Sequence, residues 1–192
     1  VLDRPDRAAI ATSIHNGDEF LGDWYCFLRN VEGIWKIEAL RTLTLPVGFY
    51  SRIDDLQAKE NPTEPDRAAL RNLNLATAPD AERRDHWKQN KSEFESVIEA
   101  FRETGHDVLW SDTQGQPEAV QPLQKRLTNL GMNAIFKRET CANCIFLYIG
   151  GVSTDEVGYI FAPDADALPD MSPQTYILIE PIADGWYLYK TT

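Results

Sequence analysis

From Ile145 onward the chain is punctuated too finely for helices. Ile145–Ile149, Val157–Phe161, Thr175–Ile179 and Trp186–Lys190 are runs of five residues bounded by Gly, Pro or Asp clusters. A run that short closes too few helical turns to hold, whereas it supplies one strand, and brief connections favour antiparallel neighbours. The C-terminal region is therefore predicted to be an antiparallel β-meander.

Upstream the period changes. Trp87, Phe94, Val97, Ile98 and Phe101 recur at spacings of seven, three, one and three, which predicts one amphipathic helix over 81–104 with Gly105 as its stop. Pro117 opens a second stripe, Val120, Leu123, Leu127 and Leu130, closed by Gly131. Apolar strands at 107–111 and 132–138 flank it, and strand, helix and strand across 106–138 suit one right-handed βαβ unit. Shorter helices are predicted at 47–56 and 66–73, with 74–80 irregular. The fold class is α+β, with helices packed on one face of a mainly antiparallel sheet.

At the N-terminus, Pro5 beside Asp3 and Asp6 suits a helix start, so 3–15 is predicted helical. Trp24–Leu28 and Ile34–Leu45 come next as a hairpin around Asn30 to Gly33. In its second strand Trp35, Ile37, Ala39, Leu43 and Leu45 share a parity and are predicted to form a buried face. The clearest linker runs from Asn61 to Pro65. The chain is read as one domain over 1–192, or as a helix-plus-hairpin unit at 1–60 and an α+β core at 66–192 joined by 61–65.

A 43% hydrophobic content is enough for a core, and the net charge is -11. Such a chain repels phosphates, which excludes nucleic acid. No run approaches the roughly 20 apolar residues of a membrane-spanning helix. Residues 151–192 hold seven acids against Lys190 alone, a net of -6. A partner steered by charge would be basic and would approach that end. The first residue is Val; removal of an N-terminal segment, and with it an extracytoplasmic home, is favoured over a cytoplasmic one.

Cys141 and Cys144 form a Cys-x-x-Cys pair. Because the pair lies between two strands, no helix N-terminus lowers its thiol pKa, and a structural disulfide is expected ahead of redox chemistry. Zinc would want about four ligands, and His15, His86, His106 and Cys26 offer no paired spacing. The acidic stretch Asp164, Asp166, Asp170 departs from a calcium loop at Leu168, Pro169 and Thr175. Gly150-Gly151 lacks the lysine of a phosphate loop and is read as a turn. No catalytic residue, metal or cofactor is implied. Tyr187 and Tyr189 share one strand face, a tyrosine-bearing surface if nothing covers it.

Glu32-Gly33-Ile34-Trp35-Lys36-Ile37-Glu38 is similar to the Gly-x-Trp-Lys-Ile strand of many nuclear-transport-factor-2-like α+β domains. The likeness covers only this strand, which in those domains usually lies near the end, and it carries no function across. The residues point instead to a non-enzymatic interaction module. Asp155, Glu156, Asp164, Asp166, Asp170, Tyr187 and Tyr189 would dock a basic protein partner. The alternatives are a thiol-disulfide redox protein using Cys141 and Cys144, with Lys137 or Arg138 stabilising the thiolate, and a small-ligand domain with a pocket between the 81–104 helix and the sheet. Oligomeric state is left open by the sequence.

Overall fold

The computed structural model describes residues 2–3, 6–112 and 117–192. Its architecture is α+β with two antiparallel sheets. Four strands form the first, in the order β1 (Leu2–Asp3), β2 (Arg7–Asn16), β3 (Glu19–Val31) and β4 (Ile34–Arg41). Helices α1 (Val47–Gln57), α2 (Glu64–Thr77), α3 (Asp80–Gln89) and α4 (Lys91–Thr104) come after them. The second sheet holds six strands: β5 (Val108–Trp110), β6 (Ala134–Phe136), β7 (Ile145–Val152), β8 (Asp155–Phe161), β9 (Tyr176–Ala183) and β10 (Trp186–Thr191). Helix α5 (Gln121–Asn129) lies between β5 and β6.

The C-terminal strands pair antiparallel throughout, as their punctuation predicts, in the order β7-β8-β10-β9. The last hairpin is turned so that β10 lies between β8 and β9. The two apolar stripes are buried as expected. Phe94 sits 5.2 Å from the ring of Tyr159 and 5.9 Å from Trp186, while Trp87 lies 5.5 Å from Trp186. Gly105 caps α4 in the left-handed conformation, φ 70°. The sheet's other face is covered too: Phe146, Ile160 and Tyr189 are fully buried, and the Arg138 guanidinium lies over the rings of Phe136 and Phe146.

Five local readings are corrected. Residues 7–16 are a strand, not a helix; Arg4 and Pro5, which carried part of the helix signal, lie outside the described residues. Ten pairings with β3 outweigh any local helix preference, and the alternation of Ile10, Thr12 and Ile14 was the competing signal. In β4 the pairing slips, Phe27 opposing Ala39 and Leu28 opposing Ile37, so Glu38 is a bulge. Trp35 and Ile37 therefore leave the face of Ala39 and stand exposed, while Ala39, Leu43 and Leu45 pack against the core. Helix α2 runs on to Thr77 through residues expected to be irregular, and begins inside the expected linker. There the Thr63 hydroxyl accepts from the Asp66 amide and the Asp66 carboxylate from the Thr63 amide. The 81–104 helix is two helices broken at Asn90. Finally, β5 and β6 pair antiparallel, so the 106–138 unit is not a parallel βαβ crossover.

One hydrophobic cluster links Ala9, Tyr25 and Phe27 of the first sheet to the helices and the second sheet.

Candidate interaction surface

Cross-strand partners share a face. Ala8, Ile10 and Thr12 of β2 oppose Leu28, Cys26 and Trp24 of β3, and these in turn oppose Ile37 (for Leu28) and Leu40 (for Cys26) on β4. Ile14 extends the same side at one end and Trp35, opposite Asn30, at the other. The alternate positions Ala9, Tyr25 and Phe27 point into the core. Across β2, β3 and β4 this set contains no charged residue outside the Glu38 bulge, while at the β1 edge Asp3 pairs with Ala8. Ile10 is 53%, Trp35 46%, Ile37 65% and Leu40 52% exposed, so these side chains are not the margin of a buried core. A continuous apolar patch of this kind on a chain with -11 net charge is the feature that most needs a function.

The sheet that carries this face is fixed from behind by buried charges contributed by three elements. Asp23 and Tyr25 come from β3, Asp80 and Arg83 from α3, and Lys190 from β10. Lys190 Nζ lies 2.8 Å from Asp80 Oδ1 and donates to the Tyr25 hydroxyl at 2.7 Å, with Asp23 Oδ2 at 3.5 Å. The Tyr25 hydroxyl donates to Asp80, and the Asp80 amide donates to Asp23 Oδ2 at 2.8 Å. Arg83 Nη1 meets Asp80 Oδ1 at 2.9 Å, while its other nitrogens donate to the carbonyls of Leu75 and Ala76. Burial pushes Lys190 down to about 8, against the pull of Asp80 and Asp23. Burial would raise the Asp80 carboxyl, but Lys190 and Arg83 outweigh it and hold the group below its ordinary value. Tyr25 is raised, first by burial and then by Asp80. Each member is paired with at least one other member, which makes the cluster an interlock joining the two sheets.

The residues expected to meet a basic partner are only partly gathered. Glu156 and Asp170 line one groove of about 770 Å³, together with Arg138, Glu139 and Tyr176. Glu156 is already paired with Arg138. Asp155 sits beside it at the start of β8, while Asp164 and Asp166 stand apart around a short 3-10 turn. Tyr187 is half-buried and Tyr189 is fully buried, so Tyr189 offers no surface to a partner. Its burial was illegible because the rings packed against it, Phe146 and Tyr176, are brought there from other strands.

Cys141 and Cys144 are disulfide-bonded with Cα atoms 5.4 Å apart, in a turn where Asn143 has φ 62°. Both residues are buried. The neighbouring cations are committed elsewhere: Lys137 pairs with Asp107 at 3.1 Å, and Arg138 donates to the Tyr176 hydroxyl at 3.0 Å. His86, on α3, lies 3.3 Å from the Tyr159 hydroxyl, and burial lowers its pKa. Among the described residues no helix is long and apolar enough to cross a membrane.

Compared with known proteins, the chain matches no protein-family model, no curated protein and no solved structure.

Proposed function

We propose that the chain is a non-enzymatic protein-interaction module that docks an uncharged protein surface on the outward face of β2, β3 and β4. The observation that carries this reading is the set Ile10, Trp35, Ile37 and Leu40, exposed side by side on one sheet face. Covering such a face gains about 25 cal/mol per Å² of apolar surface, and none of its central positions obliges a partner to desolvate a charge. The interlock behind the face supports the same reading, because it holds the sheet rigid so that little order is lost on docking. Size-exclusion chromatography of an extract from the native source tests it. The chain is expected to elute well above its 21.8 kDa, and an Ile37→Asp, Leu40→Glu variant at its monomer size. Identical elution of both would overturn the reading.

A second reading keeps the basic partner. It is favoured by the groove where Glu139 and Glu156 lie beside Tyr176. Glu139→Lys should abolish binding of a lysine-rich peptide if a basic segment seats there, and unchanged binding rejects it.

A further inference from the structure

Resting on the docking reading above, we infer that the occupant of this face is a second copy of the same chain, the two four-stranded sheets stacked outward face to outward face. Three observations support a copy of itself.

The first is where the charge lies. Residues 1–45 hold seven acids and five bases, a net of -2, while the whole chain carries -11. Most of the like charge that opposes self-association is therefore outside this segment, and two copies meeting here keep it away from the contact. The second is the chemistry of the face. With no charge among its central positions, it has nothing to pair with an oppositely charged partner, and a second uncharged sheet is its best complement. Two sheets with the same right-handed twist stack in the aligned way, about 10 Å apart, with their apolar side chains interleaved. The third is size. β2 pairs with β3 over ten positions. At about 3.4 Å per residue and 4.8 Å between strands, three strands present on the order of 500 Å² per copy. Two copies together bury about 1,000 Å², near the lower bound for a specific interface. The expected dimer is accordingly a micromolar one. Trp24, on the inner strand β3, and Trp35, at the start of the edge strand β4, share the face with the smaller Ala8, Thr12 and Cys26, which leaves room for interleaving.

Cys26 lies near the middle of the face on β3 and is the chain's free thiol, because Cys141 and Cys144 are bonded to each other. In the stacked dimer the two Cys26 residues lie across the interface from one another. Sedimentation equilibrium of the purified chain over a micromolar concentration range should show a reversible monomer–dimer equilibrium. Ile37→Asp and Leu40→Glu, both at exposed positions, should each raise the dissociation constant about tenfold or more without changing circular dichroism. A short bismaleimide should link two wild-type chains and leave Cys26→Ser and Ile37→Asp unlinked. A wild-type chain that stays monomeric up to hundreds of micromolar overturns the proposal, as does a dimer indifferent to Ile37→Asp. If the purified chain is monomeric yet its large species in extract is lost in the face variant, the docking reading stands and the second copy falls. If both experiments show no association, both readings fall.

Discussion

In the six-stranded sheet, Phe146, Ile160 and Tyr189 are buried on the side away from the helices, whereas on the matching side of the four-stranded sheet Ile10, Trp35, Ile37 and Leu40 stand in solvent. Both sheets are antiparallel, and both present an inner face to the same core. They differ in how their strands are connected. Connections in the larger sheet fold back over it, with Arg138 seated on Phe136 and Phe146 and a disulfide closing the turn beyond. In the smaller one, β2–β3 and β3–β4 are joined by tight turns at Gly17 and Gly33, both with positive φ, too short to cover the face. An apolar face left open by its own connections is a surface for another molecule.

The contrast can be broken at several points, and the largest effect belongs to the closed region. Phe94→Ala, between Tyr159 and Trp186, should cost about 3–5 kcal/mol in urea unfolding because the cavity cannot refill; a loss below 1 kcal/mol would mean the helix–sheet core is loosely packed. Next comes the interlock. Asp80→Asn leaves the buried Lys190 ammonium short of its main carboxylate and should cost about 3 kcal/mol at neutral pH. Asp80 is held below its ordinary value, so its stabilisation is complete above pH 3.8 and is lost as pH falls through the lowered value. Wild type should therefore lose stability relative to Asp80→Asn in acid, and two parallel stability–pH curves would refute this. The disulfide closes a very short loop, so Cys141→Ser with Cys144→Ser should cost at most about 2 kcal/mol; unfolding of the double variant at room temperature would show a larger role. Smallest of all, Ile37→Ala should change the stability of the dilute chain by no more than about 0.5 kcal/mol. A loss of 2 kcal/mol would mean that the side chain is buried within its own molecule.

Much of this contrast was readable in one half of the chain and not in the other. The helical stripes and the four C-terminal strands were visible because each pattern is local and most of it is buried. The N-terminal strand was not, since Pro5, Asp3 and Asp6 mimic a helix start and the alternation of Ile10, Thr12 and Ile14 acquires meaning only beside β3. The open face was concealed by one residue. Had β4 run without the Glu38 bulge, the parity of Trp35, Ile37 and Ala39 would have held and all three would have shared one side of the sheet. The interlock was beyond reach for a different reason, because Asp23, Asp80 and Lys190 are brought together only by the tertiary fold. The acidic C-terminal residues were legible as charge and not as a site, since pairing such as Glu156 with Arg138 depends on which loops meet.

The two regions can be compared directly by site-specific photocrosslinking in the native source, with a photoreactive residue placed either at Ile37 on the open face or at Asp166 on the acidic C-terminal turn. Docking through the four-stranded sheet predicts a discrete crosslinked species from position 37 and none from position 166. A species from position 166 with none from position 37 would contradict it and return the function to the acidic end of the chain.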